Sequence, residues 1–295
     1  MMHLQMIGLA IAIAIAIRLF ARTAPTEANW VTRWQAALAA FVVPPLFLMA
    51  TAIAIVAMGT SGLPLWEGRL SFAIAAGFAT AAACLWLQLI WLSVRTQRQL
   101  KQYPRQLIRA DLQGISDLQG ISVRGRVVNT AAVFSAQVGL WASELVISRG
   151  LLEHLDAEHL DAVLAHESGH AYYRDTFWFF WLGGLRRLTG WLPQTEALWQ
   201  ELLLLREVRA DEWAARRVDG LVLAESLMSV ITAPLVNTEA ICASFSCAAP
   251  RSRLAQRVDA LLETRTVRPS RRFWVVQWLA IALSLSPLAT IPFHY

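Results

Sequence analysis

The stretch Asp161–Asp175, "DAVLAHESGHAYYRD", sets two histidines four residues apart, with a glutamate directly after the first. On a helix such residues share one face, so His166 and His170 can aim a ring nitrogen at one ion. Glu167 stands beside that face, within reach of an ion-bound water. Zinc brings the pKa of such a water towards ~7, so a carboxylate can take its proton at neutral pH. The bland reading is a chance match on an amphipathic helix. Only six histidines occur in the chain and two of them fall in this pentapeptide, which weighs against chance. His159 lies about two turns from His166, ~10 Å along a helix axis, too far to share an ion. It and His154 read as surface or first-turn residues.

A catalytic zinc takes three protein ligands and leaves one position open. One pattern places a third histidine six residues after the second, but that position is Thr176, and Tyr173 replaces the pattern's glycine. The only later histidine is His294. The third ligand is therefore expected to be a carboxylate, from among Asp175, Glu196, Glu201, Glu207, Asp211, Glu212, Asp219 and Glu225. "REVRADEWAARR" (Arg206–Arg217) stands out. Glu207 and Asp211 lie one turn apart, and Ala210 and Ala214 are small enough for a second helix to approach. Glu207 can then bind the ion while Asp211 accepts the N–H of a ligand histidine, which fixes the imidazole's orientation. The competing reading is a solvated face on which both carboxylates pair with Arg206, Arg209 or Arg216.

The surroundings are those of a membrane protein. Of 295 residues, 56% are hydrophobic and only 16% charged, where a soluble domain has ~25% charged. Thirteen tryptophans fit the aromatic belts of membrane boundaries. The net charge of +5 comes from Lys and Arg beside apolar runs, without basic–aromatic interleaving, so no direct nucleic-acid partner is expected. Cys84, Cys242 and Cys247 form no disulfide framework and read as structural.

Four apolar runs, Met1–Ile17, Trp34–Met58, Leu70–Val94 and Phe273–Ile291, approach the ~20 residues a span needs. The first is short, and Arg18 could snorkel at its end. It lacks the preceding Lys or Arg of a signal peptide. Pro44 and Pro45 should kink the second. Arg18, Arg22 and Arg33 follow span one. Arg95, Arg98, Lys101, Arg105 and Arg109 follow span three, and Arg265, Arg268, Arg271 and Arg272 precede span four. The positive-inside rule places the segment between spans three and four in the cytoplasm. The fold class expected is thus mainly α: four transmembrane helices with a cytoplasmic α+β zincin-type domain inserted between helices three and four. The domains are residues 1–94, 95–272 and 273–295.

Within the middle segment, a basic helical stretch leads to a tandem duplication, "DLQGISDLQGIS" (Asp111–Ser122), read as a local loop or strand entry. β-rich sequence follows from Ser122 to Gly139 and in "ELVIS" (Glu144–Ser148). Helices are expected through the pentapeptide, with Asp156 as an N-cap, then over about 195–219 and 251–263. The aromatic stretch Phe177–Pro193 is too short to span and is expected to be a helix lying in the inner membrane interface or packed against the spans.

His166-Glu167-x-x-His170 followed by Glu207-x-x-x-Asp211 resembles the integral-membrane gluzincin peptidases. The lead-in "LVISRGLLEHLDAEHLDAVLAHESGH", the acidic Asp175 and the late "RSRLAQRVDALLE" (Arg251–Glu263) are similar to that group. The placement of the domain between spans three and four looks like the BlaR/MecR-type sensor-transducers. The HtpX-type and CAAX-prenyl-type proteases come next. The sequence ends soon after the fourth run, without the sensor-transducers' extracellular domain, so no antibiotic-sensing role is carried over. The resemblance implies a Zn2+ cofactor on His166, His170 and Glu207, with Glu167 as general base. It implies support from Asp211 and Asp175, and hydrolysis of a peptide or protein, such as a repressor or a membrane protein. Val133, Phe134, Ser135 and Ala136 could pair with an extended substrate. Arg206, Tyr172 and Tyr173 are candidates for stabilising the oxyanion. Two alternatives remain: an inactive membrane transducer of the same fold, and a site-2-type intramembrane protease using Asp219-Gly220.

Overall fold

The computed structural model describes residues 2–20, 29–60, 65–109, 122–232, 253–262 and 271–293. The duplication before Ser122, along with Cys242 and Cys247, lies outside them. The chain divides into two compact units.

One unit comprises Met1–Ile90, Leu182–Leu202 and Val267–Tyr295. It holds α1 (Met2–Phe20), α2 (Trp30–Met58) and most of α3 (Leu65–Leu100). These three helices are long and apolar enough to cross a membrane. Small residues let them approach closely: Ala10 and Ala14 pack with Leu48, and Ala52 and Ala54 pack with Ala75. α2 continues as one helix through Pro44 and Pro45. Arg18 departs from expectation. It is buried, donates from Nη2 to the Phe41 carbonyl at 3.1 Å, and lies over the Phe41 ring, so it does not snorkel. The expected fourth span is also different. Among the described residues its α-helix is Arg271–Ser284, and a 3-10 helix follows over Ser286–Phe293. Pro287 sets in where an α-helix would have to continue.

The second unit comprises Trp91–Trp181 and Leu203–Thr266. Its sheet has β1 (Arg105–Arg109), β2 (Ser122–Val128), β3 (Ser135–Val138) and β4 (Glu144–Ser148), in the order β1-β2-β4-β3. β1 was expected to be helical. It is instead an edge strand antiparallel to β2, and Ile108 anchors it in the core. β2 and β4 are parallel and β3 is antiparallel to β4, which leaves β3 at the opposite edge.

Alternation assigns the faces of the sheet. Leu145 and Ile147 of β4 pack with Leu151, Leu160, Val163 and Leu164. Val146 points the other way, towards Val128 and Val138. The first cluster presses α4 (Arg149–His154) and α5 (Ala157–Tyr173) onto the sheet. Caps fix both helix starts. Ser148 accepts from Leu151 N, and Asp156 accepts from His159 N as expected. α6 (Asp175–Leu188), α7 (Thr195–Ala214), α8 (Gly220–Thr232) and α9 (Leu254–Leu262) complete the described helices before α10 (Arg271–Ser284).

Candidate metal centre

The site is made where α5 crosses α7. Gly169 of α5 faces Ala210 of α7. A Cβ on Gly169 would sit 3.2 Å from both the Cα and the carbonyl oxygen of Ala210. That backbone approach, extended by the buried Ala162, Ala165 and Ala214, brings one turn of α7 against the histidine face of α5. The ring nitrogens Nε2 of His166 and His170 stand 3.1 Å apart, their rings nearly perpendicular. Glu207 Oε2 lies 3.5 Å from His166 Nε2, and Oε1 lies 3.7 Å from His170 Nε2. Ligand atoms of all three residues fall within 4.8 Å of one another.

The outer nitrogens are engaged by carboxylates. His170 Nδ1 and Asp175 Oδ2 are 2.7 Å apart in a hydrogen bond. Arg174 makes this possible. Its φ of 54° is left-handed, ends α5, and turns the next residue back beside His170. His166 Nδ1 is 2.8 Å from Asp211 Oδ1, a short contact that is not aligned as a hydrogen bond. A proton held at each Nδ1 leaves a lone pair at each Nε2, and both point into one space next to a carboxylate. Two nitrogens bound to one tetrahedral zinc are ~3.3 Å apart. The donor set and its spacing therefore fit a divalent metal.

Three arginines balance the acids. Arg257 of α9 grips Asp211 with Nε and Nη2, both at 2.8 Å, and its Nη1 lies 3.4 Å from Glu207. Arg206 donates to Glu207 Oε1 from Nε at 2.9 Å and approaches it with Nη2 at 2.7 Å. Arg209 donates to Asp175. Burial alone would keep these carboxyls neutral. Arg206 and His170 instead hold Glu207 well below the usual carboxylate range, and Arg257 and His166 lower Asp211. Burial likewise disfavours charge on His170, but Glu207 and Asp175 outweigh it and push its pKa up to about 10. His166 is raised against its own burial, chiefly by Asp211.

Glu167 is buried beside His166, His170 and Glu207 without joining their cluster. Its Oε1 accepts from Ser135 Oγ at 2.7 Å, and its Oε2 has no hydrogen-bond partner among the described residues.

The profile of Peptidase family M48 matches residues 95–264, more than half of the chain. The protein belongs to peptidase family M48. No curated protein matches it in a sequence search. The M48 region contains the sheet, the α5–α7 crossing and α9, and therefore every group described above.

Of the residues singled out in the sequence, His166, Glu167, His170, Asp175, Glu207 and Asp211 come together in the M48 domain. Glu207 and Asp211 are buried, so "REVRADEWAARR" does not present them on a solvated face, although Glu207, which faces the histidines, also pairs with Arg206. The strand expected from Val133 begins at Ser135, so Val133 and Phe134 precede it. Phe134 is tied instead to Ser148: its N–H donates to the Ser148 hydroxyl oxygen, and its carbonyl accepts from that hydroxyl. His159 faces Asp156 and Glu225, and His154 faces Ser229, away from the cluster. Asp219 caps the start of α8, accepting from Leu221 N at 2.7 Å, so Asp219-Gly220 serves a helix end. Arg206 is committed to Glu207. Tyr172 packs on Trp213, and Tyr173 lies under the Arg209 guanidinium. Sequence reasoning missed the role of Arg257. Its only signal was an arginine in an otherwise apolar-patterned helix, which reads equally well as a solvated face.

Proposed function

We propose that the protein is a membrane-bound zinc metalloendopeptidase that cleaves a cytoplasmic or membrane-proximal protein. The observation that carries the reading is the convergence of His166, His170 and Glu207 beside a buried Glu167 with one unpartnered carboxylate oxygen, within an M48 domain.

His166 and His170 would hold the zinc through Nε2, and Glu207 through its carboxylate. The ion supplies Lewis acidity toward a peptide carbonyl and a water molecule. Asp211 and Asp175 fix the ring orientations, and Arg257 in turn fixes Asp211. Glu167 takes a proton from the attacking water as its oxygen bonds to the carbonyl carbon. It then delivers that proton to the amine nitrogen as the C–N bond breaks. The free edge of β3 offers backbone groups on which an extended peptide could add as a strand.

The arginines flanking the domain support a cytoplasmic catalytic side in an inner, plasma-type membrane. The position of the domain between apolar segments supports the BlaR/MecR-type branch ahead of the HtpX- and CAAX-prenyl-type proteases.

Glu167→Gln tests the reading. The variant should keep its zinc and lose cleavage. Membrane and cytosolic proteomes of wild-type and Glu167→Gln cells should differ by one chelator-sensitive fragment, which names the substrate. Cleavage that survives in Glu167→Gln would leave the inactive-transducer alternative standing.

A further inference from the structure

Glu167 is gripped from a strand as well as carried by its own helix. Ser135 and Gln137 of β3 are two residues apart, so their side chains leave the same face of the sheet. Ser135 Oγ donates to Glu167 Oε1 at 2.7 Å. Gln137, itself buried, donates from Nε2 to the Glu167 backbone carbonyl at 3.1 Å. Glu167 Oε2 is buried and makes no hydrogen bond among the described residues. One carboxylate oxygen is thus committed and the other is left to act. The terminal torsion of a glutamate is broad, so an untethered carboxylate would sample many orientations. A hydrogen bond to one oxygen removes most of that freedom and sets the direction of the second. Among the described residues β3 is also an edge strand, paired with β4 on one side.

We propose that Ser135 is a positioning residue for the general base: its hydroxyl pins Glu167 Oε1 so that Oε2 faces the reacting water, while Gln137 anchors the backbone beneath. The strand that offers its edge to the substrate is then the strand that aligns the base. This inference rests on the peptidase reading above.

The test uses the full-length protein in detergent, loaded with zinc, with fluorophore-quenched β-casein as substrate. Ser135→Ala should lower kcat about 10- to 100-fold, the usual effect of removing a group that orients a site residue. KM should not change, because the backbone edge that receives substrate is untouched. Ser135→Thr keeps the hydroxyl and should restore kcat. Zinc content and Tm of both variants should match wild type. A second measurement does not depend on turnover. The infrared difference between wild type and Glu167→Gln isolates the Glu167 carboxylate bands. The antisymmetric stretch should move up in Ser135→Ala and return in Ser135→Thr. A wild-type kcat in Ser135→Ala, or an unmoved carboxylate band, overturns the proposal, and if β-casein resists the wild type the infrared result decides alone. Wild-type protein that holds zinc and cleaves no peptide would sink the peptidase reading, and cleavage by Glu167→Gln would sink Glu167 as its base, while the band shift would still report on the Ser135 contact, so the failures are separable.

Discussion

Two buried carboxylates, Glu207 and Asp175, act on the imidazole of His170 and favour a proton on it. Its contribution to stability is complete below the ordinary imidazole value of 6.5 and is lost as pH rises through about 10. A metal at Nε2 must displace that proton. Zinc binding at neutral pH should therefore release protons, measurable by calorimetry in buffers of differing ionisation enthalpy. Apparent affinity should climb about tenfold per pH unit for each proton displaced. The chelated protein should lose Tm between neutral pH and pH ~10, and the zinc-loaded protein should not. At Asp211 the decisive neighbour is Arg257. Replacing it in Arg257→Met strands a buried carboxylate, so stability should fall by about 3–5 kcal/mol, read by denaturant unfolding.

The helix crossing is the next scale. α5 carries the histidines and α7 carries Glu207, and neither holds a complete ligand set. Gly169 against Ala210 sets the distance between them. Gly169→Ala adds one methyl at a backbone contact, so α7 must shift by a few tenths of an ångström. We expect stability to fall by about 1–3 kcal/mol and zinc affinity to drop about tenfold or more. An affinity equal to wild type by competition with a chelating dye would show that the crossing tolerates the methyl. The elements themselves were partly legible. The pentapeptide helix, its Asp156 cap and the helix bearing Glu207 follow from periodicity and cap chemistry. β1 was misread because five residues of "RQLIR" carry too little alternation to separate strand from helix. β2 alone could not supply the missing information, because a strand is defined by its partner.

Over the whole molecule, the distribution of arginine predicts sidedness. Protease added to sealed inside-out vesicles should digest the M48 domain, and right-side-out vesicles should protect it. The reverse pattern would place the site on the outer face. Membrane character was legible from composition, since three helices meet the length and apolarity of a span. The last apolar run was legible only as apolar. Hydropathy counts residues, and the change from α- to 3-10 helix at Ser286–Phe293 depends on backbone geometry that hydropathy does not register.

The sequence by itself determined the chemistry: H-E-x-x-H on a helix, no third histidine, and a carboxylate pair one turn apart. These are local facts, because i,i+4 spacing on a helix fixes which groups share a face. Tertiary structure alone decided that Arg257 would hold Asp211 and that β3 would reach Glu167. Arg257 and Asp211 are 46 residues apart, and Ser135 and Glu167 are 32 apart. Contacts at such separations are set by how helices pack on a sheet, and residue spacing along the chain carries no record of them.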